Sequence, residues 1–144
     1  MCIRDRYKDL IFDETHLVLQ KGKISKKSPT LVRVQQSNFF HDLLNINEFG
    51  ARWSVSDSMK KINEVGKGII LLIDGENKKQ DEFNEINASK KKRITAPNND
   101  PRRIGIGSQI LRDLGVQKIK LMGSEVRYPS LSGFDLEVTE YLKK

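Results

Sequence analysis

The run Gly68 to Ile73, GIILLI, is apolar without alternation and stands between turn residues. A strand with one wet face alternates apolar and polar residues, whereas a strand covered on both faces does not. The run is therefore expected at the centre of a sheet that carries helices on its two sides. The flanking segments supply such helices. Ser54 and Asp57 form a Ser-x-x-Asp start, Met59, Ile62 and Val65 fall three apart, and Gly66 follows, so Ser56 to Val65 reads as an amphipathic helix with Met59 in the core rather than acting as a ligand. Beyond the central run, Asp100-Pro101 offers a cap and a first helical residue, with Arg102 and Arg103 at its mouth. Ile106, Ile110, Leu111 and Leu114 then recur at helical spacing up to Gly115, a left-handed terminator, and Val116 to Met122 follows as a short strand.

The remaining segments complete an α/β pattern. Thr15 to Gln20 and Thr30 to Gln35 are β-like and are read as two strands joined by the basic loop KGKISKKSP. Phe134, Leu136 and Val138 alternate with polar residues, which predicts a final half-buried strand. Residues 1–14 have no periodicity and are left without structure; Phe39 to Trp53 reads as an irregular loop with an apolar anchor, and Asp74 to Asn99 as a mobile surface excursion. Alternating helices and strands predict a three-layer α/β sandwich on a mixed, mostly parallel sheet.

Composition narrows the class. A chain of 144 residues fits one ordinary domain, and no apolar run approaches the roughly 20 residues that span a bilayer. The sole cysteine, Cys2, leaves no intrachain disulfide and no cysteine-based metal site; with no secretory signal pattern, the expected location is the cytoplasm. The net charge of +7 would attract phosphates, and Lys90 to Arg93 is a candidate nucleic-acid contact, but four cations without interleaved aromatics fit a solvated loop better.

Chemistry is sparse. Gly105-Ile106-Gly107 lacks the third glycine of a dinucleotide loop, and Ser37, Ser54 and Ser108 have no histidine that spacing assigns to them. His16 and His41 have no second ligand at metal-site spacing, so ordinary structural or surface roles are expected. Asp100 and Arg102, two apart at a helix start, could serve as a base and a phosphate-binding guanidinium, although capping explains Asp100 equally well.

The order of residues in IGIGSQILRDLGVQKIKLM, residues 104–122, resembles the C-terminal part of GTP cyclohydrolase II, and Leu131 to Val138 resembles the ending Leu-Glu-Gly-Tyr-Gly-Leu-Glu-Val typical of that family. His16 to Gly22, Leu31 to Val34 and Gly66 to Leu72 resemble earlier strands, so the likeness covers nearly everything after residue 14. It implies a GTP cyclohydrolase II-like domain over 15–144, with 1–14 a linker remnant or non-native start in which MCIRDR has no counterpart. Tyr7 to Leu10 resembles the connection to a 3,4-dihydroxy-2-butanone-4-phosphate synthase, which implies a fused synthase upstream.

The resemblance also implies an activity: opening of the imidazole ring of GTP with loss of pyrophosphate, in riboflavin biosynthesis, at a zinc held by three cysteines. Those cysteines are expected near Asn38, Trp53 and Val55, where this sequence has none. Asp100 and Arg102 match the proton acceptor and the nucleophilic arginine; Arg33 and Glu76 match nucleotide-binding positions; Gly123 to Val126 replaces the threonine and asparagines expected to help bind nucleotide. The expectation is a zinc-free, catalytically inactive domain, a structural or regulatory partner of the synthase, homodimeric and with at most residual GTP binding. The alternatives are an active cyclohydrolase using Asp100 and Arg102, and a basic nucleic-acid-binding module.

Overall fold

The computed structural model describes residues 2–10, 13–36, 53–73, 101–125 and 129–144. Six strands form one sheet: β1 (Cys2–Lys8), β2 (Thr15–Lys21), β3 (Thr30–Gln36), β4 (Gly68–Ile73), β5 (Lys118–Met122) and β6 (Glu137–Leu142), in the spatial order β1-β2-β4-β3-β5-β6. The pairings β4–β3, β3–β5 and β5–β6 are parallel, and β1–β2 and β2–β4 are antiparallel. Two helices, α1 (Val55–Val65) and α2 (Pro101–Asp113), and a 3₁₀ turn (Pro129–Phe134) complete the described elements.

β4 does what its composition requires. Ile69, Leu71 and Ile73 point to one side and join Ile110, Leu111 and Val116 from α2 and the segment after it, with Val18, Val32 and Ile119 from the neighbouring strands. Ile70 points to the other side, against Ile62 of α1, Leu31 and Met122. The sheet is thus a middle layer, with α2 on one face and α1 on the other. Gly68 is fixed by close approach: a Cβ there would lie 2.7 Å from Ile62 Cγ1 and 2.8 Å from the Leu31 carbonyl oxygen.

α1 begins as its cap sequence predicts. The Ser54 hydroxyl accepts the Asp57 N–H at 3.0 Å, the Ser58 hydroxyl donates to the Ser54 carbonyl at 2.7 Å, and Gly66 closes the helix at φ 81°. The buried stripe, however, is Ser54, Ser58 and Ile62, and Met59 is 38% exposed and Val65 56%. Ser54, Ser58 and Ile62 advance by only about 40° per step along one face, and Met59 lies about 60° beyond Ile62, off that face; Val65 falls on the same side as Ser58 but is the last residue of the helix. Met59 is therefore not a core residue. α2 buries Ile110 and Leu111 with Ile106 and Leu114 packed beside them, as expected, and Gly115 follows at φ 78°.

Three further expectations change. Residues 2–8 form an edge strand whose order comes from pairing with β2, with a register shift between Ile3 and Asp5, so no internal alternation announces it. β2 and β3 are not neighbours, because β4 lies between them and takes the ladder of each. The last strand starts at Glu137, not Phe134. Phe134 belongs to the 3₁₀ turn and Asp135 is at φ 55°, a conformation that Asp tolerates better than most residues, so the apparent alternation runs through a turn. Asp74 to Asn99 and Phe39 to Arg52 lie outside the described residues.

Candidate functional site

In sheets with parallel strands, ligands sit beyond the strands' carboxyl ends. Here that edge is marked by Gln36 of β3 and Ile73 of β4, and Gly107 of α2 packs over it, with Ile73 Cδ1 3.5 Å and Leu71 Cδ2 3.6 Å from the position a Cβ would take. Arg102 lies in the first turn of α2. Asp100, Glu76, His41 and the Lys90 to Arg93 cluster lie outside the described residues.

Arg33 is set differently. It shares the α1 side of β3 with Leu31, whereas α2 covers the opposite face. Its guanidinium donates to Gln35 Oε1 at 3.2 Å, to the Met122 carbonyl at 2.8 Å and to the Trp53 carbonyl at 3.1 Å. The Trp53 indole N–H in turn donates to the Leu142 carbonyl at 3.0 Å, an oxygen that also accepts the Gly123 N–H at 3.0 Å. Gly123 lies beside Arg33, whose Nη1 is 3.4 Å from where the methyl group of an alanine would stand, about van der Waals contact. Arg33 and Trp53 together fasten the start of α1 to the ends of β5 and β6.

This arrangement bears directly on zinc. Of the positions near which the family's zinc cysteines are expected, Trp53 and Val55 are described, and neither offers a ligand: the indole nitrogen of Trp53 is a donor engaged with Leu142, and Val55 is aliphatic. The residues present do not fit a three-cysteine zinc site, and no step through that metal follows. Of the three candidate serines, Ser37 lies outside the described residues and the other two are equally committed. Ser54 caps α1, and the buried Ser108 donates from its hydroxyl to the Ile104 carbonyl at 2.6 Å.

Sequence spacing misses one constellation. Asp9, Glu14 and His16 come together where β1 turns into β2, their ligand atoms all within 4.8 Å of one another. The Asp9 N–H donates to the Glu14 carbonyl at 2.8 Å and closes the turn, and His16 is 1% exposed. Glu14 and His16, two apart in an extended stretch, share a face, which is the signal available in sequence; Asp9 arrives only through the strand pairing.

Two perturbed ionisations lie elsewhere. The Tyr7 phenol is pushed well above its usual range by burial first, then by its hydrogen bond to Asp113 (2.7 Å) and the charges of Asp113 and Asp5. The Asp57 carboxyl is held below the usual range chiefly by its hydrogen bond to Lys144, at 2.5 Å.

Comparison with known proteins gives one consistent result. The family model of GTP cyclohydrolase II matches residues 5–143. A 3,4-dihydroxy-2-butanone 4-phosphate synthase of Pseudomonas aeruginosa is 40% identical over 142 residues, covering 94% of this chain and 38% of that protein. The Riboflavin biosynthesis protein RibBA of Cytophaga hutchinsonii is 32% identical over 145 residues, covering 93% of this chain and 36% of its own length. The crystal structure of RibBX, a two-domain 3,4-dihydroxy-2-butanone 4-phosphate synthase from A. baumannii, superposes with a TM-score of 0.62 at 34% identity, over 95% of this chain and 34% of that one. The chain thus spans little more than a third of these relatives, and it belongs to the GTP cyclohydrolase II family, homologous to the C-terminal part of the dihydroxybutanone phosphate synthase, RibBA and RibBX proteins.

Proposed function

We propose that this domain works in riboflavin biosynthesis as a catalytically silent GTP cyclohydrolase II-like partner of a fused 3,4-dihydroxy-2-butanone-4-phosphate synthase. The observation that carries this reading is the use made of Trp53: where the resemblance expects a zinc ligand near this position, the chain has an indole that locks α1 to β6. Without a ligand set there is no zinc-activated water for ring opening. Asp100 and Arg102 remain from the family's catalytic pair, and the domain's role is to fold against, pair with or regulate its synthase neighbour as a homodimer in the cytoplasm. Any GTP that binds does so without turnover, through Arg102 with Asp100 and Glu76; a share for Arg33 would come on top of its bonds to Trp53 and Met122.

The test is pyrophosphate release from GTP by the purified protein, set beside the synthase activity of the full-length protein with and without this domain. Release no faster than in buffer, with synthase activity falling when the domain is removed, is the expected result. Pyrophosphate release abolished by Arg102→Ala would instead establish an active cyclohydrolase.

A further inference from the structure

We infer that Asp9, Glu14 and His16 form a binding site for one divalent first-row metal ion, of the zinc class, at the turn between β1 and β2. Ligand atoms around a single zinc at about 2.1 Å stand about 3–4 Å apart. The three groups already lie within 4.8 Å of one another, so small side-chain rotations close the set. Their backbone is fixed before any ion arrives: the Asp9 N–H to Glu14 carbonyl bond closes the turn, and His16 stands in β2 directly opposite Tyr7 of β1.

The donor set suits such an ion. Two carboxylates and one imidazole are a mixed oxygen and nitrogen environment, in which first-row divalent metals outcompete calcium and magnesium. Two carboxylates also concentrate negative charge on a chain whose net charge is +7. His16 is buried, and although its ring has partners within the protein, the Nε2 atom makes no hydrogen bond among the described residues.

The site is separate from the family's cysteine positions, and its consequence is structural. A bound ion would cross-link the β1–β2 turn to the sheet at the edge marked by Ile73, since His16 adjoins Leu17, which pairs with Leu72. Metal binding of this kind stabilises the folded chain by mass action.

The experiment is titration of the metal-stripped, purified full chain with Zn²⁺, and with Co²⁺ as a spectroscopic probe, read by bound metal per chain and by melting temperature. One equivalent of zinc, visible cobalt absorption and a rise of several degrees are expected. Because His16 is buried, the carboxylate variants decide: Asp9→Asn and Glu14→Gln should keep the metal-free melting temperature within about two degrees and lose zinc affinity at least tenfold, while Asp13→Asn, in the same turn but outside the cluster, should bind as the parent does. Absence of stoichiometric uptake by the parent chain, or uptake unchanged in both carboxylate variants, would overturn the site.

Discussion

At the scale of single residues, Arg33 shows how one side chain can tie three segments together. One guanidinium satisfies two backbone carbonyls and a side-chain amide drawn from three segments, a reach that a point-charge ammonium lacks. Arg33→Met should therefore destabilise the domain by about 2–3 kcal/mol in urea unfolding, because two inward carbonyls lose their donors, and Arg33→Lys should recover less than half of that. Tyr7 gives a pH signature. Its pKa is raised in the folded state above the ordinary value of 10.0, so its contribution is complete below pH 10 and is lost as pH rises further. Stability measured by urea midpoint should fall between about pH 10 and pH 11.5, and Tyr7→Phe should remove that slope while costing about 1 kcal/mol at neutral pH. Asp57 has the opposite sign: its folded pKa is lowered, so its small contribution is present above the ordinary carboxylate value and disappears as pH falls below it.

At the scale of elements, α1 is specified by its ends more than by its stripe. Ser54→Ala removes the acceptor for the Asp57 N–H and should cost about 1 kcal/mol, measurable by thermal or urea unfolding. Gly68→Ala should cost more than about 2 kcal/mol, since the obstruction on one side is the Leu31 backbone oxygen at 2.8 Å, which cannot move without disturbing the β3–β4 ladder. β4 and α2 are readable from sequence because each carries a pattern that only one environment satisfies, an unbroken apolar run and a 3.6-residue apolar period respectively. β1 and β6 are sheet edges, where pairing with a single neighbour supplies the order. In CIRDRYK the apolar residues do not alternate, and in EVTEYL the register shift beside Lys120 changes which residues face inward part-way along the strand.

At the scale of the whole molecule, the layered class follows from the order of residues alone. The GIILLI run demands cover on both faces, and two helices with apolar stripes on either side of it in the chain provide that cover. Family membership is equally legible, because the order of residues 104–122 is specific, and so is the lack of any cysteine beyond Cys2, since a missing residue type needs no coordinates to be noticed. Contacts between residues distant in sequence emerge only in the folded chain: the insertion of β4 between β2 and β3, the fastening of Arg33 and Trp53 to carbonyls 89 positions along in two cases, and the meeting of Asp9 with Glu14 and His16. The physical reason is the same each time. Period and propensity act over a few residues and record which face a side chain prefers, whereas the identity of its partner is set by strand order and register, which many sequences of the same pattern leave open.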